Sequence, residues 1–239
     1  VRLGIDQMSQ GMQHFGFGRR QGRDIQGDLP GILPSREWKR SARNQPWYLG
    51  ETVISGIGQG FWVTTPLQLA ASTTAMARRG NFIEPHFSVL EDIDAGTPIP
   101  IGDSMDWERM IDAMEGVLHG ERGTARRAGQ GSNYRIAGKT GTAQVISIAQ
   151  DEEYNEEELE ERLRDHALFV GFAPADAPSI VVALIIENGG SGGTTAAPVA
   201  RKIFDYWLLD RREGAVPPDT QYVAKMNQQV LEPEYADSN

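Results

Sequence analysis

Three strand-like segments followed by one helix occupy the second half of this chain, and they restrict its fold more than any other feature. The first lies in the C-terminal half of residues 135–148, where apolar residues alternate at Ala143, Val145 and either Ile146 or Ile148. Residues 167–173 and 179–187 supply the other two. The link between the last two, Pro-Ala-Asp-Ala-Pro, is typical of a short antiparallel connection. A helix is predicted at 195–209, with one face formed by Val199, Ile203, Tyr206 and Trp207. This order predicts an antiparallel sheet covered by its C-terminal helix.

Two further helices are predicted upstream of the strands. Thr65 followed by Pro66 is a favourable start, because the threonine hydroxyl can accept from a free N–H and proline has none to lose. That helix is expected to run over 66–79 and to be buried, since it is rich in alanine. A second helix is predicted over 106–119 from its apolar stripe, with Ser104 as the N-cap.

Three segments are predicted to be irregular. Residues 15–46 are rich in Gly, Pro and Arg and show no sustained period. The Gly-rich run at 56–60 predicts a tight turn, since no Lys-Ser/Thr pair follows it as a phosphate-binding loop would require. Residues 151–161 contain eight acids, which predicts a solvated segment; a metal site is the alternative, but nothing fixes these carboxylates in one geometry.

The composition excludes several classes of function. The formal net charge is −10 and the pI about 4.9, which argues against a nucleic-acid partner. No apolar run approaches the roughly 18 residues of a membrane span, the longest being the seven residues at 180–186. Cysteine is absent, so disulfides and thiolate zinc sites are excluded, and neither a cofactor nor a metal is predicted.

The tripeptide Lys139-Thr140-Gly141 is the candidate catalytic motif of this chain. Such a motif at the start of a strand is one of three catalytic elements in penicillin-binding proteins and class A β-lactamases, the others being S-x-x-K and S-x-N or S-D-N. The tripeptide alone is a weak signal, but further strands and a C-terminal helix follow it here. The alternative for Lys139 is an ordinary surface lysine on an edge strand.

Taken with other segments, this motif resembles the class B penicillin-binding proteins, and most closely their cell-elongation transpeptidases. The matching segments are L-G-I-D at 3–6, P-S-R-E-W-K at 34–39, P-W-Y at 46–48, G-I-G-Q-G at 56–60, T-P-L-Q at 65–68, K-T-G-T-A-Q at 139–144, R-L-R-D-H at 162–166, F-A-P at 172–174 and E-N-G-G at 187–190.

The resemblance implies an α/β fold of the α+β type, an antiparallel sheet covered by helices as in β-lactamases and transpeptidases. It implies D,D-transpeptidase activity on peptidoglycan stem peptides through a serine acyl-enzyme, with β-lactam antibiotics as inhibitors. It further implies a location at the periplasmic face of the bacterial inner membrane, an N-terminal anchor outside this chain, and a polymerase of the elongation complex as a membrane partner.

By the same resemblance, the motif residues receive individual roles. Lys139 supplies positive charge to the donor's terminal carboxylate and to the serine hydroxyl of the second motif. Thr140 and Thr142 offer hydroxyls to that carboxylate, and the backbone N–H of Thr142 is one of two oxyanion donors. Gly141 leaves room for a substrate that lies along the strand edge as an added strand.

The chain departs from the family pattern in one respect: no serine is followed three residues later by lysine. The nucleophile and its base are therefore expected in a missing N-terminal part of the same domain, with this chain beginning just after the second motif. Ser104-Met105-Asp106 matches an S-x-D variant, but a helix cap explains it better. We expect 1–210 to be the C-terminal part of a transpeptidase domain and 211–239 a disordered tail.

Other functions remain open at this point. A serine β-lactamase or a penicillin-sensing domain shares the K-T-G strand, although the segment at 15–46 and the Gly-Gln-Gly run argue against both. A non-catalytic scaffold of the elongation complex is a third possibility. His166 borders a strand, where it is either a general base or, as we expect, a hydrogen-bonded residue at the sheet end.

Overall fold

A computed structural model describes residues 2–22, 24–88, 95–145 and 160–210. One compact unit extends from Val1 to Phe204. The described residues of the second unit, 205–210, contain the end of the last helix and a π-helical turn, Tyr206–Asp210. The predicted tail at 211–239 and the acids at 151–159 lie outside the described residues.

The main sheet has three antiparallel strands, which lie side by side in chain order. They are β3 (Ala137–Ala143), β4 (His166–Ala173) and β5 (Ile180–Ile186). The register pairs Lys139 with Val170 and Ala173 with Ile180. The two downstream strands and their antiparallel connection are thereby confirmed.

Strand β3 ends earlier than the pattern of apolar residues indicates. The strand contains the K-T-G motif in its middle and stops at Ala143, so Val145 lies beyond it and Ile146 and Ile148 fall outside the described residues. Strand pairing explains the difference, because Ala143 pairs with His166, the first residue of β4, and β3 has no partner residue on β4 beyond it. The strand also begins before the predicted half. A β-carbon at Gly138 would lie 2.5 Å from Cζ of Phe169 on β4, so the glycine allows close strand packing where side-chain alternation alone would not place a strand.

Helices pack against one face of the sheet. Helix α4 (Pro66–Ala77) is capped by Thr65, whose hydroxyl accepts from the backbone N–H of Gln68 at 3.1 Å, as predicted. Its apolar side joins helix α5 (Ser104–His119) and the sheet. The shared core consists of Ala77, Ile111, Ala137, Phe172 and Ala175.

The cap of α5 corrects the prediction at Ser104. Asp103 is the N-cap, and its carboxylate accepts from the backbone N–H of Asp106 at 3.0 Å, while Ser104 is the first helical residue. Both residues are good caps by type. Asp103 is preferred here because the side chain of Asp106 also accepts from its backbone N–H, which completes a capping box.

The opposite face of the sheet is covered by the segment before the last helix. A π-helical segment, Gly192–Ala196, contacts all three strands and continues into α7 (Ala197–Asp205). The face predicted for this helix is not its buried face: Ala197, Ala200 and Phe204 are buried, whereas Val199 and Ile203 are 37% and 38% exposed. Two alanines and one phenylalanine thus form the buried face of α7, whereas the prediction assigned that face to larger side chains.

Three N-terminal helices were not predicted from the sequence. They are α1 (Ile5–His14), α2 (Arg36–Arg43) and α3 (Leu49–Gly56). The second lies inside the segment at 15–46, which was therefore wrongly predicted to be irregular throughout. Helix α2 begins where the Ser35 hydroxyl accepts from the N–H of Trp38 and ends at Asn44 in the left-handed conformation. Its charged composition hid the helix, because almost no apolar period remains.

Two small elements complete the fold. Short strands β1 (Asn81–Phe82) and β2 (Thr97–Pro98) pair antiparallel, and α6 (Arg126–Gly129) follows α5. In the part of the chain that the structure describes, no helix is long and apolar enough to cross a membrane.

A buried lysine connects α2 to α3. Lys39 is 1% exposed, and its ammonium group forms an ion pair with Glu51. The ammonium lies 4.6 Å from the ring centroid of Tyr48 and 5.5 Å from that of Phe61, within cation–π range. Burial by itself would raise the pKa of Glu51, but the hydrogen bonds from Lys39 and from the Tyr48 backbone, with the Lys39 charge, hold it below its usual value.

We expect Glu51→Gln to destabilise the protein, because it leaves a buried ammonium without a counter-charge. Chemical denaturation at pH 7 should show a loss of about 3 kcal/mol in the free energy of unfolding. Since the pKa of Glu51 is lowered on folding, its stabilisation is fully present above about pH 4.3 and is lost as the pH falls through the folded value.

The matched control is Glu108→Gln. Glu108 pairs with Arg79 at the surface, where both side chains are more than a third exposed, so its loss should cost less than about 1 kcal/mol. Equal effects of the two substitutions would show that burial of Lys39 does not determine the stability of the α2–α3 pair.

Candidate active site

Lys139, Thr140, Gly141 and Thr142 lie on β3, which is one of the two edge strands of the sheet in the described part of the chain. Lys139 and Thr142 are exposed, and Thr140 and Gly141 are half-buried. Alternation along the strand places Lys139 and Gly141 on the face that carries Leu168. Thr140 and Thr142 belong to the other face, so the motif presents both faces and its free edge.

A cleft of about 820 Å³ opens beside this edge. All four motif residues line it, together with the turn after α3, the start of α4 and one end of the sheet. The apolar part of its wall includes Met8, Met12, Ile57, Trp62, Val63, Leu69, Leu168, Leu184 and Ile185. The cleft is therefore mainly apolar, with a cationic and hydroxyl-bearing rim along β3.

No side chain projects from β3 at Gly141 on the face that lines the cleft. A β-carbon there would lie 3.2 Å from Cβ of Leu168, on the face that lines the cleft. The sequence interpretation placed this space along the strand edge. In the structure the space lies over the sheet face, since side chains leave a strand perpendicular to its pairing direction.

Hydrogen bonds hold the side chains of two motif residues, Lys139 and Thr140. The ammonium of Lys139 donates to the carbonyl oxygen of Thr140 at 2.6 Å. The hydroxyl oxygens of Thr140 and Thr124 lie 2.9 Å apart, in a hydrogen bond whose donor either can be. Thr124 precedes α6, and sequence reasoning gave it no role. A second hydroxyl therefore orients that of Thr140.

Gln59 contacts the same strand from across the cleft. Its side-chain amide donates to the carbonyl oxygen of Thr142 at 2.9 Å, over a sequence separation of 83 residues. Sequence reasoning placed Gln59 in a tight turn and named no contact for it. The turn is observed, with left-handed backbone at Gly58 and Gly60.

Glycines in the segment before α7 allow it to support β3 from the opposite side. A β-carbon at Gly192 would overlap the carbonyl oxygens of Gly141 and Leu168, and one at Gly193 would overlap that of Thr124. The spacing is too small for any side chain. This close approach fixes the position of β3 relative to Thr124, whose hydroxyl bonds to that of Thr140.

A histidine side chain binds the backbone immediately before β3. His119 Nε2 accepts a hydrogen bond from the backbone N–H of Ile136 at 2.9 Å, just before the strand begins. Burial, followed by the positive charges of Arg135 and Arg201, lowers the pKa of His119 against the opposite effect of Glu115. The ring is therefore favoured in its neutral form, which has the free lone pair that this contact requires.

His166 is the first residue of β4, at the end of the sheet where β3 stops, and Asn188 lies beside it. The prediction of a hydrogen-bonded histidine at the sheet end is confirmed. His166 Nδ1 accepts from the backbone N–H of Asn188 at 2.9 Å. The Asn188 amide donates to the carbonyl oxygens of Arg162 and Arg164. Neither His166 nor Asn188 lines the cleft beside β3. This geometry favours a structural role over a general base.

A polar cleft of similar volume between α1 and α2 contains none of the K-T-G residues. Across the described ranges, no cluster of three or more acidic or histidine residues is arranged to hold a metal ion. Among the described residues, the K-T-G edge brings the motif residues, a cleft and the hydrogen-bonded hydroxyl of Thr140 together.

The family of the chain follows from comparison with known proteins. The model of the penicillin-binding protein transpeptidase domain matches residues 1–205. The chain therefore belongs to the penicillin-binding protein transpeptidase domain family, whose fold contains the helix-covered antiparallel sheet described above.

Individual relatives are more specific. The peptidoglycan D,D-transpeptidase MrdA of Acinetobacter baumannii is 44% identical over 233 residues, which is 93% of this chain and 34% of that protein. The Escherichia coli MrdA is 38% identical, with coverage of 93% and 36%. The chain thus spans about a third of the length of these curated relatives.

Solved structures agree in fold. The structure of Pseudomonas aeruginosa PBP2 in complex with WCK 5153 superposes with a TM-score of 0.75 at 46% identity, covering 88% of this chain and 45% of that one. A complex between PBP2 and MreC from Helicobacter pylori gives 0.73 at 29% identity, covering 88% and 37%. The resemblance to the elongation-type members is confirmed by these similarities.

We expect His119→Leu to destabilise the protein by about 1–3 kcal/mol, because the buried N–H of Ile136 loses its acceptor. The wild type should lose stability as the pH falls from about 6.5 towards the folded pKa of His119, since the unfolded chain then binds the proton more readily.

Denaturation curves between pH 5 and pH 8 would measure both effects. His119→Gln, which restores an acceptor but does not titrate, should recover part of the stability and remove that part of the pH dependence. Unchanged stability in His119→Leu would contradict the role of this contact in holding β3.

Proposed function

We propose that the chain is part of a peptidoglycan D,D-transpeptidase that cross-links stem peptides through a serine acyl-enzyme and binds penicillins. The observation that carries this proposal is the edge of β3 that no strand covers in the described residues, where one ammonium group, two threonines and a cleft lie together. The similarity to MrdA proteins supports the same activity.

The proposed reaction is acyl transfer in two steps. A serine oxygen from outside this chain attacks the penultimate D-Ala carbonyl, and the tetrahedral oxyanion collapses with release of D-Ala as its amine takes a proton. An amine from a neighbouring peptidoglycan strand then attacks the ester and forms the new amide. The ester C–O bond breaks, and the proton lost by the amine restores the serine hydroxyl. Penicillins follow the first step and stop at the acyl-enzyme.

In this proposal, the β3 residues act on the donor peptide. Lys139 provides positive charge to the donor carboxylate and to the hydroxyl of the second motif, and the hydroxyls of Thr140 and Thr142 bind that carboxylate. The backbone N–H of Thr142 donates to the oxyanion, a contribution of about 3 kcal/mol in comparable enzymes. Gly141 leaves the adjacent space open.

The Thr124–Thr140 hydrogen bond supports this arrangement. A hydroxyl held by a neighbour is oriented before the substrate arrives, so less entropy is lost on binding. The Lys139 ammonium bonds to the Thr140 carbonyl and has further donors for an incoming carboxylate.

Location and partners belong to the same proposal. The chain would act at the periplasmic face of the inner membrane in cell-shape maintenance, anchored by a segment outside it, with the rest of its domain and an elongation polymerase as partners. The Helicobacter pylori PBP2 complex with MreC supports participation in an assembly of this kind. We also propose that 1–210 forms the C-terminal part of the transpeptidase domain.

Acylation by a labelled penicillin tests the proposal. The longer protein that contains these residues should form a covalent adduct, observed by intact mass spectrometry. The 239-residue chain by itself should form none, because it contains no S-x-x-K motif. An adduct on this chain would contradict the placement of the nucleophile, and a longer protein that is never acylated would favour the scaffold.

Lys139→Ala in the longer protein should lower the second-order rate constant of acylation by about 100-fold, because one cationic contact to the reacting ligand is removed. Lys202→Ala is the matched control, since Lys202 is an exposed lysine on α7. Equal rates for the two variants would show that Lys139 is an ordinary surface lysine.

A further inference from the structure

Gln59 forms a hydrogen bond across the cleft that the chemistry of the motif does not account for. Its Nε2 donates to the carbonyl oxygen of Thr142 at 2.9 Å, and both residues line the same cleft. The contact joins the turn after α3 to the C-terminal half of the K-T-G strand. It is made at the residue whose backbone N–H is the proposed oxyanion donor.

The turn that carries Gln59 is held in place by several contacts. The Gln59 N–H donates to the carbonyl of Ile54 at 3.2 Å, and the Gly58 N–H donates to that of Ser55 at 3.0 Å. The indole N–H of Trp62 donates to the same Ser55 carbonyl at 3.0 Å. Gln59 therefore extends from a backbone that is fixed on both sides, and its side chain is half-buried.

Left-handed glycines make this turn possible. Gly58 has φ of 76° and Gly60 has φ of 81°, a region that other residues adopt only with strain. A β-carbon at Gly60 would also lie 3.1 Å from Cγ2 of Ile54. The Gly-Gln-Gly run thus aims one amide side chain at the strand, which explains why a glutamine stands between two glycines.

Strand geometry connects the carbonyl to the N–H. In a β-strand the N–H and C=O of one residue point to the same side. The Thr142 carbonyl receives Gln59 from the cleft, so the Thr142 N–H also points away from β4. In the described part of the chain no strand pairs with this edge of β3, and Gln59 supplies a hydrogen bond that a neighbouring strand would otherwise provide.

We propose that Gln59 is a positioning residue for acylation: its amide fixes the orientation of the Thr142 backbone and thereby aims the Thr142 N–H at the developing oxyanion. This inference rests on the proposed function. A carbonyl oxygen has two lone pairs, so Gln59 and an incoming ligand amide can bind it together. The contact is therefore retained when the ligand is bound.

The decisive measurement separates binding from chemistry. With a labelled penicillin and the longer protein, stopped-flow acylation gives the apparent dissociation constant and the limiting acylation rate constant. Gln59→Ala should lower the limiting rate constant by about 10- to 100-fold, because a small misplacement of a catalytic donor is costly. The apparent dissociation constant should change by less than about threefold, because the residues that bind the ligand remain.

Gln59→Glu tests the hydrogen bond itself. The carboxylate has nearly the same size but no donor, so it should lower the limiting rate constant at least as much as Gln59→Ala. Gln10→Glu is the matched control, since it makes the same charge change at an exposed position on α1. The thermal midpoint of each variant shows whether the fold is retained.

Three outcomes would overturn the proposal. The first is an unchanged limiting rate constant in both Gln59 variants. The second is tighter binding in Gln59→Ala, which would make Gln59 a competitor for the ligand. The third is loss of the folding transition in Gln59→Glu, which would make the role of Gln59 structural. A wild-type protein that is not acylated would instead contradict the proposed function, so the two failures are distinguishable.

Discussion

The backbone of β3 is paired with β4 along one side, and in the described residues no strand covers its other side. The other parts of the site depend on this asymmetry. Unpaired N–H and C=O groups at a strand edge bind an added strand or a suitably placed side chain. The edge is therefore available for chemistry, provided that the strand stays rigid.

Contacts from several directions supply that rigidity. His119 holds the backbone just before the strand, Gly192 allows the segment before α7 to touch one face, and Gln59 binds the far end of the edge. These residues come from separate parts of the sequence. An oxyanion donor must be in place before the reaction, because a flexible donor would have to be ordered in the transition state.

The regular elements could be predicted where apolar residues repeat or where a cap is clear. The two downstream strands and α4 are of this kind. Helix α2 could not be predicted from an apolar period, since charged residues dominate it and its one local signal is the Ser35 cap. Its packing depends on burial of Lys39 among aromatic rings. Lysine burial depends on a distant Glu51, which no local pattern contains.

For the site, the sequence by itself determined the chemical groups. Lys139, Thr140, Gly141 and Thr142 are contiguous, so one strand presents them together wherever it lies. Only the tertiary structure decided which edge of β3 no described strand covers, that Thr124 binds Thr140, and that Gln59 reaches Thr142. The physical reason is that a strand fixes the order and alternation of its own residues, whereas its hydrogen-bond partners are selected by packing between segments far apart in the chain.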